Sequence, residues 1–137
     1  MIKISSATKT ENLDSEWDKM NVSHYGQEIK WVEKKYRFKA TENGKIVGTV
    51  SGKLESGVVY ISALITAEKY RGRGIGSLLI QKVEEFGKQN NAHQIWLFTG
   101  ENWSENVFYQ KLGFKLVGHL PDFYFHTDFV LYTRAIK

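Results

Sequence analysis

Apolar and polar positions change their spacing several times along the chain, and each change predicts an element. Through Trp31 the sequence is polar, with widely spaced Leu13, Trp17, Met20 and Ile29, which predicts one or two short helices. Tyr36, Phe38 and Ala40 then alternate with charged residues, the period-two pattern of a half-buried strand. Asn43-Gly44 is a hairpin signal, Ile46 to Leu54 reads as the return strand, and Ser56-Gly57 turns the chain again. Val58 to Thr66 is nearly all apolar or small, which suits a central strand covered on both faces.

Helical spacing follows. Ile75, Leu79, Val83 and Phe86 recur on one face, with Lys82, Glu84 and Glu85 left for solvent. The polar stretch Lys88–Asn91 ends that helix, and Ile95 to Thr99 make another apolar strand. Ser104 is placed to cap a short second helix carrying Phe108 and Leu112, and Gly113 stands where a left-handed stop is wanted. Phe114 to Leu120 and Phe129 to Ile136 read as two closing strands joined across Pro121-Asp122. Helices first, a meander of three strands, then helices alternating with strands predict a mixed α/β sheet with helices on both faces.

Composition narrows this. A chain of 137 residues fits a single domain, 1–137, and 42% hydrophobic residues can bury a real core. With no cysteine, a disulfide framework and a thiol nucleophile are both excluded. No apolar run is long enough to span a bilayer, and the start lacks the pattern of a secretion signal, so a soluble cytoplasmic enzyme is expected. The net charge is +4, with Lys and Arg scattered except at Arg71 and Arg73, which sit among glycines. No basic helical stripe is present, so a phosphate-bearing small molecule is favoured over nucleic acid.

The segment Arg71-Gly72-Arg73-Gly74-Ile75-Gly76 lies between the apolar strand and the amphipathic helix. Three glycines in five residues let backbone approach a ligand and align its N–H groups. The helix that starts there adds its positive end, which together makes an anion site suited to a pyrophosphate. Glycines at 72, 74 and 76 do not fit the dinucleotide fingerprint, and the Gly-Lys-Ser/Thr of a Walker loop is absent. A ligand-free turn would need only one glycine or two.

On these residues the sequence resembles the GNAT (GCN5-related N-acetyltransferase) superfamily. The family's Gln/Arg-x-x-Gly-x-Gly/Ala motif is met by Arg71, Gly74 and Gly76. Its Asn-x-x-Ala-x-x-Phe-Tyr-x-Lys-Leu-Gly-Phe segment resembles Asn102 to Phe114, with Glu105 in the alanine position and Asn106 in an apolar one. The resemblance implies a twisted mixed sheet of six to seven strands, with acetyl-CoA as co-substrate. It implies that the pyrophosphate rests on the amides of Gly72 through Ser77, Arg73 and Ile75 included, while the pantetheine arm runs along Leu64, Ile65 and Thr66. Asn102 would be the coenzyme-side amide, or Asn106 if the register slips. The reaction implied is direct attack of an amine on the thioester, the backbone amide near Ile65 holding the oxyanion and Tyr109 protonating or hydrogen-bonding the leaving sulfur.

A glutamate that some members carry on this strand has no counterpart in Val58 to Thr66, so the base stays open among His24, Glu28, His119 and Asp122. His93 reads as a turn residue. The resemblance also implies that the hairpin holding Phe123, Tyr124, Phe125 and Phe129 borders the acceptor. Expected partners are acetyl-CoA and an amine acceptor, small molecule or protein, with no nucleic acid and no membrane, and with a homodimer left open. The rival reading is a non-catalytic acyl-CoA-binding regulatory module.

Overall fold

The computed structural model describes all residues, 1–137. They fall into two compact units, Met1–Trp31 and Val32–Lys137. The first holds one helix, α1 (Asp14–Tyr25), where one or two were expected. Gly26 ends it in the left-handed region, its N–H reaching Val22 O at 2.8 Å, and no residue of α1 is buried.

The second unit is a six-stranded sheet with two helices. Its elements are β1 (Glu33–Glu42), β2 (Lys45–Glu55), β3 (Val58–Thr66), α2 (Ile75–Gln89), β4 (Gln94–Gly100), α3 (Glu105–Lys111), β5 (Lys115–Leu120) and β6 (Phe129–Ala135). The strands lie in the order β1-β2-β3-β4-β6-β5, all neighbours antiparallel except β3 and β4. This is the expected mixed α/β architecture with a mixed sheet of six strands, and within this unit α2 and α3 both pack on one face of the sheet. Two-residue turns make the first two hairpins: Asn43 and Gly44 both have positive φ, as do Ser56 and Gly57, the backbone that matches strand twist.

One face of the sheet carries the core. Val50, Leu54, Val59, Ile61, Ile95, Leu97 and Tyr132 are buried there against Leu79, Ile80, Val83 and Phe86 of α2 and Tyr109 of α3. Burying these side chains is worth about 1.5–3 kcal/mol each before entropy is counted. Arg134 on β6 ties both helices to the sheet, meeting Glu84 Oε2 at 2.8 Å and Leu112 O at 2.9 Å.

β3 departs from expectation. Val59 and Ile61 are buried, but Ser62, Ala63 and Ile65 are exposed. The reason is its partner: β3 pairs with β4 only over Val58–Tyr60 and Gln94–Trp96. Beyond that point the two parallel strands separate, so an apolar run suited to a doubly covered strand ends as an open edge.

Candidate active site

The separation of β3 from β4 creates the site. Backbone of β3 beyond Tyr60 has no partner on the β4 side, and a cleft of about 520 Å³ opens beside it. Leu64, Ile65 and Thr66 line one wall. The glycine loop and the start of α2 form a second wall, and Ser104, Glu105, Phe108 and Tyr109 a third.

Local sequence explains the second wall. Gly72 and Gly74 have φ of 78° and 82°, left-handed backbone in which neither would carry a side chain without strain. Gly74 is the N-cap of α2, no side chain caps this end, and the first turn holds no acid. The first helical bond of that end is Leu78 N–H to Gly74 O at 3.1 Å, so the N–H groups of Ile75, Gly76 and Ser77 have no acceptor within the helix. A β-carbon on Gly76 would stand 3.1 Å from the Phe108 ring, so glycine there lets α2 and α3 close on the cleft. Free amides at the positive end of a helix form an anion site.

The two arginines divide. Arg71 lines the cleft, its Nε donating to Thr66 O at 3.1 Å, which ties the loop to the end of β3. Arg73 is outside the lining. It pairs with Glu42 at 3.1 Å and lies 5.3 Å over the Tyr70 ring, and the bond to Glu42 holds it further into its charged form. Its charge is answered within the protein, and it stands beside the cleft rather than in the lining with Arg71.

Tyr109 is 7% exposed, its ring packed on Phe108, Phe114 and Tyr132. Its hydroxyl has no protein partner, yet no buried side-chain oxygen or nitrogen is unpartnered, so the hydroxyl opens to the cleft it lines. Burial, followed by the charge of Glu105, pushes its pKa up to about 12. The group is therefore a protonated donor at neutral pH.

The two asparagines separate clearly. Asn102 is exposed in the β4–α3 loop and does not line the cleft. Asn106 is occupied: its Nδ2 donates to Gly100 O at 2.8 Å, Glu101 O at 3.2 Å and Trp103 O at 2.7 Å, and its Oδ1 accepts from the Tyr132 hydroxyl at 2.6 Å. It is the clamp of that loop, and Ser104, expected as the cap, makes no capping bond.

No residue proposed as base from the sequence lines the cleft. His119 Nε2 lies 3.1 Å from Glu101 and 3.3 Å from Asp128, and His126 pairs with Asp122 at 2.7 Å. His24 and Glu28 belong to the first unit. His93 is the turn residue expected, its backbone bonded to Gly57 and Ile136. Glu105 is the only carboxylate of the lining, and sequence reasoning missed it together with Tyr70 and Phe108. The available signal was Glu105 in a position the family fills with alanine. In the hairpin, Phe123, Tyr124 and Phe129 pack with Phe98 at 5.8 Å each, while Phe125 is 98% exposed.

Known proteins share this fold. The family model for the acetyltransferase (GNAT) family matches residues 4–114. The chain belongs to this family. Over 82 residues it is 38% identical to an N-acetylaspartate synthetase of Xenopus tropicalis, an overlap of 58% of this chain and 30% of that protein. The chain covers only 30% to 60% of the length of the curated relatives it matches. Among solved structures, an acetyltransferase from Bacillus cereus ATCC 14579 shares the fold with a TM-score of 0.72 at 23% identity, over 98% of this chain and 97% of that one. An aminoglycoside 6'-N-acetyltransferase complexed with coenzyme A gives 0.69 at 18% identity, over 75% and 73%.

A GNAT domain is an acetyltransferase whose co-substrate is acetyl-CoA, and the cleft has the donors that such a ligand needs. Free N–H groups at α2 suit its pyrophosphate. The unpaired edge of β3 suits its amide-bearing arm, and Leu64 and Phe108 offer apolar walls.

Proposed function

We propose that the chain acts as one N-acetyltransferase domain, moving the acetyl group of acetyl-CoA directly to a primary amine in a ternary complex. The observation that carries this is one cleft joining three features: the uncapped start of α2, the freed edge of β3 and the open hydroxyl of Tyr109. The amides of Gly72 through Ser77 hold the pyrophosphate, and Arg71 adds charge at the mouth. Leu64 to Thr66 align the pantetheine arm.

The neutral amine attacks the thioester carbonyl, and the new C–N bond gives a tetrahedral oxyanion that the backbone amide near Ile65 receives. The C–S bond then breaks, Tyr109 gives its proton to the departing thiolate, and the attacking nitrogen loses its surplus proton to solvent, from which Tyr109 is reprotonated. Holding both substrates in one cleft supplies much of the acceleration. Acetyl-CoA and an amine acceptor are the partners under this reading, and a cytoplasmic location belongs to it. No helix is long and apolar enough to cross a membrane.

A panel of primary amines, screened for free thiol released from acetyl-CoA, tests the proposal. Acetylation of at least one amine with stoichiometric thiol release supports it. Tight acetyl-CoA binding with no turnover on any amine contradicts it in favour of a regulatory acyl-CoA-binding module.

A further inference from the structure

The sheet face opposite α2 and α3 carries a second cavity, of about 400 Å³, that the reaction above does not use. Lys35, Arg37, Ser51, Lys53, Tyr60 and Ser62 line it. Lys35 and Lys53 are direct cross-strand partners in the antiparallel pairing of β1 and β2, and Arg37 faces Ser51 one step along. Like charges directly opposite each other on a sheet are destabilising. The one ion pair here is Lys53 with Glu55 at 3.2 Å, which leaves Lys35 and Arg37 without a carboxylate. Three cations around a concavity, two of them unanswered, form a seat for an anion.

Neighbouring groups shape the seat. The Tyr60 carbonyl is occupied by the Tyr36 hydroxyl at 2.9 Å, and the Tyr60 ring packs on Trp96 at 4.4 Å, so the Tyr60 side chain is held in place. Burial raises the Tyr60 pKa, which keeps its hydroxyl a donor. Ser62 donates to Ser51 O at 3.2 Å. The register then links this seat to the cleft. Tyr60 faces Lys53, Ala63 faces Ser51 and Ile65 faces Thr49, so Tyr60, Ala63 and Ile65 share one face of β3. Three residues of strand from Ser62 to Ile65 span about 10 Å.

We propose that this cavity binds a carboxylate or phosphate group carried by the acceptor, about 10 Å from the amine that is acetylated. The distance rests on the acetyl-transfer reading, which places the reacting carbonyl near Ile65. Lys35, Arg37 and Lys53 supply the charge, and the Tyr60 hydroxyl supplies a directed donor. The acceptor class is thus an anionic amine, bound along the face of β3.

The test uses the whole chain saturated with coenzyme A, so that the glycine loop is filled. Inorganic phosphate, glutarate, ω-aminooctanoate and octylamine are titrated at constant ionic strength while backbone amide NMR shifts are followed. Saturable shifts at Arg37, Lys53 and Tyr60 are expected with phosphate or glutarate, and whichever anion binds more tightly identifies the group. ω-Aminooctanoate is expected to move these amides and that of Ile65, and octylamine to leave Arg37 and Lys53 in place. In Arg37→Gln and Lys35→Gln, both exposed and free of core contacts, anion affinity falls about tenfold, the loss of one charge-assisted bond. Shifts that never saturate, equal affinity in the variants, or identical responses to the acid and to octylamine overturn the proposal. Coenzyme A affinity is read in the same samples: its failure counts against the cleft, whereas loss of the anion response alone counts against this cavity.

Discussion

Replacing Tyr109 by phenylalanine removes one hydroxyl and little else. The ring keeps its contacts with Phe108, Phe114 and Tyr132. The hydroxyl has no protein partner to orphan, so stability changes by no more than about 0.5 kcal/mol. Tyr109→Ala, by contrast, empties a site only 7% exposed and costs about 3–5 kcal/mol. Phenylalanine is therefore the clean probe. A general acid contributes at least about a hundredfold, equivalent to about 2.7 kcal/mol of barrier, so the chemical step of Tyr109→Phe falls by at least that factor. Acetyl-CoA affinity stays near the parent value, because the lost interaction is made mainly in the transition state. Single-turnover kinetics with an accepted amine separates chemistry from product release. The pH profile adds a second reading. Because the folded pKa is raised to about 12, the donor keeps its proton until the pH approaches that value, and no loss of rate traceable to Tyr109 appears below about pH 11. A chemical step in Tyr109→Phe equal to the parent's would refute the reasoning and make Tyr109 a packing residue.

Four further outcomes follow from the same geometry. Gly74→Asp and Gly76→Asp abolish acetyl-CoA binding measured by calorimetry, since a carboxylate at the start of α2 repels phosphate and Gly76 has the Phe108 ring at 3.1 Å from any β-carbon. Glu105→Gln lowers the Tyr109 pKa from about 12, seen in the phenolate absorbance, because the Glu105 charge is one of the two causes holding it up. Asn106→Ala destabilises the fold by about 1–3 kcal/mol in denaturant melts, as it removes the side-chain amide that bridges the β4–α3 loop carbonyls and takes from the Tyr132 hydroxyl the acceptor of its proton, while exposed Asn102→Ala changes stability by less than about 0.5 kcal/mol. The folded chain also loses stability between about pH 10 and 12, as the unfolded state releases the Tyr109 proton first, and in Tyr109→Phe the fall of melting temperature across that window is smaller.

Elements set by local rules were legible from the sequence. Asn43-Gly44 and Ser56-Gly57 turn as their chemistry requires, the period of Ile75 to Phe86 builds α2, and Gly113 adopts the left-handed stop with φ of 85°. The cleft was legible in part, because Gly72 to Ser77, Leu64 to Thr66 and Tyr109 lie within two short contiguous stretches. What escaped depends on partners distant in sequence. The exposure of Ile65 follows from where β4 leaves β3, which no pattern in β3 encodes. Arg73 is drawn away by Glu42, 31 residues earlier, and Asn106 is bound through Tyr132, 26 residues later. Ser104 has the right identity for a cap but lies in helical backbone, with φ of −61° and ψ of −24°, so its side chain cannot serve as one.

Under the proposed function, the cleft between β3, α2 and α3 binds acetyl-CoA. Calorimetric titration of acetyl-CoA into the folded chain tests it most directly. One saturable site per chain is predicted, with a melting temperature that rises with ligand concentration. A folded sample that takes up no acetyl-CoA, and whose melting temperature does not move at saturating concentrations, contradicts the account.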